Sequence, residues 1–241
     1  MITASPNLPG WYDVPLRGIV SEKYGVNTFL INDADAAALG EHRFGAGKGV
    51  NTLVYLTVST GIGGGIIING KLHTGLHGSA AEIGHMTIDV NGPKCNCGNV
   101  GCWETLASGT AMAKEAIRRV SQGERSSLTE IVDGKIDNIT AEEVSRAAQG
   151  GDWLALEVIS KVTSYLGAGM VNLVNIFDPE MIIVGGGLAK MGDLLFSPVR
   201  QLVRERAFTL SARTVRIVPA QLGDNAGVLG AAAFAFQQKP G

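Results

Sequence analysis

The sequence predicts an α/β fold, in which helices cover a β-sheet. Segments rich in β-branched and apolar residues, such as 52–58 and 181–184, have the composition of buried strands and alternate with longer helical segments. Glycine accounts for 33 of the 241 residues, and many of the glycines cluster between these apolar segments. In α/β proteins such clusters make tight turns around phosphates and sugars.

The first half of the chain is expected to begin with a proline- and glycine-rich loop at 1–11. High helix propensity, above all from the alanines after residue 33, predicts helices at 16–24 and 33–44. β-Branched and apolar residues predict strands at 28–31, 52–58 and 66–68. The last two strands would form a hairpin around a glycine-rich turn at 59–65.

The second half alternates helices with two further strands. Helices are predicted at 103–120, 152–177 and 225–237. A further helix is predicted to begin at Thr140, its cap, with Glu143 at the capping-box position. The predicted strands cover 181–184 and 213–219. Gly167 and Gly169 would weaken the long helix, so we expect them to allow close packing against a neighbour.

Composition and charge argue against several functions. The formal net charge is −2 and no basic run occurs, so a direct nucleic-acid partner is not favoured. Polar residues and glycines break the longest apolar stretches, so no membrane span is predicted. No secretory segment opens the sequence, and we therefore expect a cytoplasmic protein with reduced cysteines.

A histidine and all three cysteines form the most specific pattern in the sequence. Imidazole and thiolate are the ligands that zinc prefers, and they are supplied by His85, Cys95, Cys97 and Cys102. Gly98 and Gly101 would let the backbone turn tightly enough for the sulfurs to converge. A disulfide would leave one cysteine over, and three buried thiols are the other alternative. We expect structural zinc, which would also fix the flanking Glu82 and Glu104.

Two glycine clusters follow predicted strands. The segment 59–65 has four glycines and two hydroxyls, and its backbone N–H groups can wrap an oxyanion, although a plain hairpin turn has the same composition. The segment 185–187 follows a buried strand, where open α/β sheets bind ligands, and a simple strand-to-helix turn is the alternative. Neither 59–65 nor the glycine-rich 45–49 has the Walker pattern.

Two polar pairs are candidates for acid–base or binding roles. Asp33, which follows Asn32 at the start of a predicted helix, either caps that helix or accepts a proton from a hydroxyl, and the local pattern favours the cap. Glu82 and His85 would share one face of a helix. One imidazole nitrogen can hold zinc while the other meets a substrate hydroxyl, and a surface pair is the alternative.

Taken together, these motifs resemble those of the ROK family (repressor, open reading frame, kinase), above all its bacterial glucokinases. The resemblance covers essentially the whole chain. It is carried by 5–11 (Ser-Pro-Asn-Leu-Pro-Gly-Trp), 32–34 (Asn-Asp-Ala), 57–65, 82–85 (Glu-Ile-Gly-His) and 95–104 (Cys-x-Cys-Gly-x-x-Gly-Cys-x-Glu). It implies the actin-like ATPase fold, which is ribonuclease H-like, with a complete large domain and a truncated small one.

The resemblance also implies roles for individual residues. Asp33 matches the catalytic base that takes the proton from the sugar 6-hydroxyl, which favours base over cap. The residues that match sugar contacts are Asn7, Asn32, Asp33, Glu82, His85 and Glu104. The residues that match zinc ligands are His85, Cys95, Cys97 and Cys102. The residues that match turns beside phosphate and adenosine are Thr60, Gly61, Gly63, Gly64, Gly65, Gly186 and Gly187.

The implied function is ATP-dependent phosphorylation of a hexose at its 6-hydroxyl, with glucose as the first substrate. Such a kinase, of class EC 2.7.1, would use Mg²⁺ with ATP, carry structural zinc and form a homodimer. Within the class, N-acetylmannosamine, N-acetylglucosamine, fructose or allose are alternative substrates. Outside it, the alternatives are a sugar-responsive ROK transcriptional repressor and a non-catalytic sugar-binding protein.

The sequence departs from the family pattern in two ways. It lacks the Asp-x-Gly-Gly-Thr segment that grips ATP phosphates, and we expect this to limit the activity of the chain alone. The expected domains are a remnant of the small domain at 1–32, the large domain with the zinc loop at 33–224, and a helix at 225–241 that packs back toward the small domain. Ile31 and Asp35 replace residues common in the family, and Asp35 is expected to point away from Asp33.

Overall fold

The computed structural model describes residues 2–4 and 10–238 of the chain, so the predicted sugar contact Asn7 lies outside the described residues. Strand β1 (Ile2–Ala4) pairs antiparallel with β2 (Tyr12–Val14), and α1 (Leu16–Tyr24) follows as predicted. The loop predicted at 1–11 is therefore wrong at 2–4. Composition did not reveal this strand because it depends on pairing with residues further along the chain.

A five-stranded sheet forms the centre of the fold and confirms the predicted α/β class. In chain order its strands are β3 (Leu53–Val58), β4 (Ile62–Ile68), β5 (Lys71–Leu72), β6 (Met181–Gly185) and β7 (Arg216–Pro219). Their spatial order is β5-β4-β3-β6-β7, with β3 to β5 antiparallel and with β6 and β7 parallel to β3.

Nine α-helices of the described residues accompany this sheet in addition to α1. They are α2 (Asp33–Phe44), α3 (Trp103–Ala107), α4 (Gly109–Ser121), α5 (Leu128–Ile131), α6 (Ala141–Gln149), α7 (Trp153–Phe177), α8 (Asp193–Arg206), α9 (Thr209–Thr214) and α10 (Ala226–Gln237). One face of the sheet packs against α2 and the start of α10. The other face packs against a larger hydrophobic core that includes residues of α3, α4 and α6 to α8. Successive β3 residues alternate between these two cores, because neighbouring side chains on a strand point to opposite faces.

Several predicted elements have different boundaries in the structure. The segment 28–31 forms no strand, since none of the described strands pairs with it. The strand predicted at 213–219 begins only at Arg216, because α9 occupies the residues before it. The helix predicted at 103–120 is divided at Ser108, whose hydroxyl accepts a hydrogen bond from the Ala111 N–H at 3.2 Å and caps α4.

The turn of the predicted β3–β4 hairpin is shorter than expected. Strand β4 begins at Ile62, so the turn is confined to 59–61, where the Ser59 N–H bonds to the Gly61 carbonyl at 3.0 Å. The three glycines at 63–65 therefore lie in a strand and not in the turn. Gly65 lies against α2, where an added Cβ would come within 2.6 Å of the Ala38 Cβ.

The long helix α7 lies in the core and confirms the expected close packing of its glycines. A side chain at Gly169 would overlap the ring of Trp103, which is fully buried and donates a hydrogen bond from its Nε1 to the Tyr165 carbonyl at 2.9 Å. A side chain at Gly167 would press on Leu202. Among the described helices, α7 alone is long and apolar enough to cross a bilayer, but 56% of its most apolar stretch is buried inside the protein.

Helices α2 and α10 approach each other at the level of their backbones. A Cβ at Gly230 would overlap the carbonyl oxygen of Ala36, and one at Gly40 would overlap that of Ala226. The sequence assigned these two helices to different domains, with α10 packing toward the small one. In the structure α10 packs closely on α2, whose first turn carries Asp33.

We predict that Gly230→Ala lowers the free energy of unfolding by at least about 2 kcal/mol, because the backbones of α2 and α10 would have to separate. Gly227→Ala on the same helix is the matched control, since no described atom lies within 4 Å of its Cβ position. The control is expected to gain up to about 1 kcal/mol through helix propensity. Urea denaturation of both variants tests this, and equal stabilities would contradict it.

Candidate active site

One cleft brings together most of the residues that the sequence marked as functional. Its volume is about 1420 Å³, and it lies between the first turn of α2, the β3–β4 hairpin and the cysteine-rich loop. The predicted residues that line it are Asn32, Asp33, Thr60, Gly61, Gly63, Gly64, Glu82, His85, Cys95, Cys97 and Glu104. The remaining described ones, Gly65, Cys102, Gly186 and Gly187, do not line it.

The first turn of α2 presents an exposed carboxylate at the cleft. Asn32 is the N-cap, and its Oδ1 accepts hydrogen bonds from the N–H groups of Ala34 at 2.8 Å and Asp35 at 3.2 Å. Asp33 is the first helical residue, and its Oδ1 also lies 2.8 Å from the Ala34 nitrogen. The local expectation that Asp33 is the cap is therefore wrong, because Asn32 takes that position. Asp33 nevertheless lines the cleft.

Asp35 lies behind the cleft wall and is 3% exposed. Its Oδ1 has no hydrogen-bond partner among the described residues. Burial raises the pKa of its carboxyl to about 6, and the nearby charges of Glu82 and Asp33 contribute to that rise. The side chain does leave the cleft surface, as expected, but it does not reach solvent, since α2 packs on β4 at Gly65.

Glu82 precedes a 3₁₀ turn, Ile83–His85, which His85 ends, and both residues line the cleft. A side chain at Gly84 would overlap the carbonyl oxygen of Ile62, so this turn rests directly on the start of β4. Their place in the cleft favours a site over a surface pair, and the roles of the two residues stay a prediction. The close contact sets the carboxylate and the imidazole beside the hairpin.

The cysteine-rich loop gathers one imidazole and three thiols into a small cluster. All three cysteines belong to the described residues and are free, so the disulfide alternative is wrong. The ligand atoms of the four residues all lie within 4.8 Å of one another. The Cys95 Sγ is 3.7 Å from the His85 Nδ1, and the Cys97 Sγ is 3.7 Å from the Cys102 Sγ.

The cluster fits a tetrahedral zinc ion. With zinc–sulfur bonds of about 2.3 Å, ligand atoms at the corners of a tetrahedron lie roughly 3.5–3.8 Å apart. Burial raises the pKa of the Cys95 thiol to about 12 and also raises that of Cys102, so a cation is needed to hold them as thiolates. The left-handed backbone at Gly98 (φ +94°) and Gly101 (φ +65°) makes the turns that bring the ligands together.

Glu104 lies between this cluster and the hairpin. One of its oxygens, Oε1, is 3.3 Å from the Cys95 Sγ and 3.6 Å from the His85 Nδ1. The other, Oε2, faces Gly61. The helix that carries it, α3, is held in place by the buried Trp103, so the carboxylate is presented from a fixed element.

The hairpin turn also joins the two glycine clusters of the sequence. A Cβ at Gly186 would lie 2.5 Å from the Val58 carbonyl oxygen, and one at Gly187 would lie 3.6 Å from the Ser59 Oγ. The Ser59 carbonyl in turn accepts a hydrogen bond from the Gly109 N–H at 2.7 Å. Gly186 and Gly187 therefore border the hairpin turn, although they do not line the cleft itself.

The far end of the cleft carries charged residues that the sequence reasoning missed. Glu115 binds Arg118 at 2.9 Å and Lys161 at 3.0 Å, and the arginine is the main cause that lowers the pKa of Glu115 to about 2. The spacing of Glu115 and Arg118 on one helix is visible in the sequence. Lys161 comes from α7 and could be placed there only by the fold.

Comparisons with known proteins agree with this geometry. A model of the ROK family matches residues 1–238. The chain belongs to the ROK family. A glucokinase from Thermotoga maritima is 40% identical over 234 residues, which are 97% of this chain and 74% of that protein. A xylose repressor from Caldicellulosiruptor bescii is 38% identical over 233 residues, which are 97% of this chain and 58% of the repressor.

Solved structures of ROK proteins share the fold. A ROK family glucokinase from Streptomyces griseus, in complex with glucose and AMPPNP, is 39% identical and superposes with a TM-score of 0.88. The match covers 98% of this chain and 76% of that protein. The chain therefore spans about three quarters of the length of the ROK glucokinases that it matches.

The raised pKa of Asp35 predicts a pH-dependent stability difference. An acid whose pKa is about 6 when folded and 3.8 when unfolded destabilises the protein above pH 6, and this cost disappears as the pH falls toward 4. Asp35→Asn is therefore expected to be more stable than the wild type by roughly 2–3 kcal/mol at pH 7.5 and by much less at pH 4.5.

Urea denaturation of both proteins between pH 4.5 and 7.5 measures this difference. Asp137→Asn, at an exposed carboxyl, is the control and should change the free energy of unfolding by less than about 0.5 kcal/mol. A stability difference for Asp35→Asn that does not vary with pH would refute the assignment.

The cysteine cluster predicts one zinc ion per chain. Cys97→Ser is expected to lose most of the bound metal and to lower the melting temperature, because zinc binding energy is also folding energy. Asn96→Ala, at the exposed neighbouring position, is the control and should keep the metal. Metal analysis by mass spectrometry checks both. Equal zinc contents in the two variants would rule out Cys97 as a ligand.

Proposed function

We propose that this ROK protein is a hexose kinase that transfers the γ-phosphoryl group of ATP to the sugar 6-hydroxyl, with glucose as the first substrate. The main support is the cleft, which brings together an exposed carboxylate at a helix N-terminus, a glycine hairpin and a group of acidic and imidazole side chains. The similarity to ROK glucokinases, one of them bound to glucose and AMPPNP, supports this choice.

In the proposed mechanism Asp33 is the general base. A sugar hydroxyl is a weak nucleophile, and a positioned carboxylate that takes its proton contributes roughly 10²–10⁴-fold to the rate. The capped first turn of α2 supports this role, because Asn32 caps the helix and Asp33, the next residue, lines the cleft. The base thus sits on a rigid helix, and rigid elements position catalytic groups well.

The proposed sugar site combines Asn32, Glu82, His85 and Glu104, with Asn7 as a further contact. Carboxylates and amides grip a polyol through charge-assisted hydrogen bonds. Zinc, held by the cysteine cluster, would fix the loop whose side chains read the sugar. This arrangement gives His85 and Glu104 their position without bringing the metal to the phosphate.

The proposed phosphate site runs from the hairpin turn at Thr60 and Gly61 into the start of β4 at Gly63, Gly64 and Gly65, with Gly186 and Gly187 beside the adenosine. Phosphoryl transfer depends mainly on positioning and on stabilisation of charge, and backbone N–H groups can provide both. Mg²⁺ would arrive with ATP as part of the co-substrate. We also propose the domain division at residues 33 and 225, and a homodimer, on the resemblance to the family.

A sugar-responsive repressor is the second candidate, supported by the similarity to the xylose repressor. Both functions need the sugar contacts, but only the kinase needs a base and a phosphate site. Turnover of a hexose with ATP therefore separates them. A coupled assay with glucose, N-acetylmannosamine, N-acetylglucosamine and fructose also ranks the substrates.

We predict that Asp33→Asn lowers kcat by about 10²–10⁴-fold while the hexose dissociation constant changes little, because the amide keeps its shape but accepts no proton. Coupled assays and calorimetry measure the two quantities. Asp193→Asn, at an exposed position on α8, is the control and should keep full turnover. Turnover that survives Asp33→Asn would eliminate the base assignment.

A further inference from the structure

The backbone conformation of Gly61 does not require a glycine. Its φ lies outside the left-handed region that favours glycine, so an alanine could adopt the same conformation. Among the described residues, a Cβ at this position would meet only the Glu104 side chain, at 2.8 Å from its Oε2 and 3.9 Å from its Cδ. What the glycine provides is therefore room for one carboxylate.

That carboxylate is confined on its other side by the cysteine cluster. Its Oε1 contacts the Cys95 Sγ at 3.3 Å and the His85 Nδ1 at 3.6 Å. The Glu104 side chain is 25% exposed and fills the gap between the hairpin turn and the cluster. A side chain at position 61 would push the carboxylate toward the cluster or out of the gap.

The backbone of the hairpin turn cannot easily shift to make room for a side chain at position 61. The Ser59 carbonyl is tied to the Gly109 N–H at 2.7 Å, and the Ser59 N–H is tied to the Gly61 carbonyl at 3.0 Å. The end of a glutamate side chain moves at less cost than this hydrogen-bonded backbone. An added methyl group at position 61 should therefore displace Glu104 and leave the turn in place.

We propose that Gly61 is a positioning residue that acts through Glu104. Its missing side chain holds open the space in which the Glu104 carboxylate meets both the cleft and the cysteine cluster. This contact joins the hairpin to the Glu104 carboxylate and, through it, to the cysteine cluster. The link to hexose binding rests on the proposed function, whereas the link to the metal loop does not.

The test is a double-mutant cycle between positions 61 and 104 in the zinc-loaded full chain. Gly61→Ala is expected to speed zinc release to a chromogenic chelator by about tenfold, the size of effect seen when groups behind metal ligands are disturbed. Glu104→Asp shortens the side chain and removes the carboxylate from the contact. Gly61→Ala should therefore add almost nothing to the release rate in the Glu104→Asp background.

Hexose affinity, measured by calorimetry without nucleotide, should follow the same pattern. Gly61→Ala is expected to weaken glucose binding about tenfold in the wild-type background and to have almost no effect in the Glu104→Asp background. A purely structural role of Gly61 would not produce this non-additivity. Gly227→Ala replaces Gly61→Ala in a parallel cycle and should leave zinc release and hexose affinity unchanged in both backgrounds.

The two measurements fail separately. If zinc release shows the coupling but no variant binds any hexose, the positioning role stands and the proposed function is wrong. If Gly61→Ala releases zinc at the wild-type rate, or slows or speeds it equally in both backgrounds, the positioning role is refuted. Urea denaturation shows whether Gly61→Ala acts by destabilising the whole fold. A large loss of stability would also refute the proposal, because the displaced group should be a flexible side chain.

Discussion

The close approach of α2 to β4 is the constraint on which the cleft depends. A Cβ at Gly65 would lie 2.6 Å from the Ala38 Cβ and 2.9 Å from the Ala34 carbonyl oxygen, and one at Gly63 would lie 3.3 Å from the Ala34 Cβ. The helix can rest on the strand only because both partners are small there. This contact directs the first turn of the helix, and with it Asp33, toward the hairpin end of the sheet.

The other walls of the cleft are positioned from the same strand. The 3₁₀ turn that presents Glu82 and His85 rests on Ile62, and Glu104 reaches the turn at Gly61. Each wall therefore approaches the hairpin backbone where a glycine leaves room. The hairpin end of the sheet has few side chains and gives several polar groups a common place to converge, which explains why glycines form so much of the site. Their role here is to make space more than to make turns.

The sequence predicted what is local or carried by a strong motif. The α/β class, the capping box at Thr140, the packing of Gly169 and the four cluster residues all follow from short-range patterns or ligand chemistry. The local pattern assigned the cap of α2 to Asp33 and not to Asn32, because both residues are good caps. The sequence also did not predict that β4 starts at Ile62, since glycine is depleted in strands and this strand is set by its pairing with β3.

Long-range partners explain the remaining misses. Helix α2 carries two buried carboxyls that differ in their hydrogen bonding, and nothing local in the sequence distinguishes them. Glu41 is fully buried, but its carboxylate accepts hydrogen bonds from the N–H groups of Ala46 at 2.9 Å, Gln221 at 2.9 Å and Leu222 at 2.7 Å. It therefore ties α2 to the segment that leads into α10. The partners at 221 and 222 lie far away in sequence, so only the fold could reveal them.

Asp35, earlier on the same helix, has no such partner on its Oδ1 among the described residues and lies near the charges of Asp33 and Glu82. A buried carboxyl without hydrogen bonds costs stability, and proteins tolerate such groups mainly where a site constrains the surrounding residues. The helix thus combines a carboxylate that holds its far end rigidly with one that destabilises the end at the cleft. The rigid end and the glycine contact with β4 keep α2 in place despite that cost, and the same helix can therefore carry an exposed carboxylate in a fixed position.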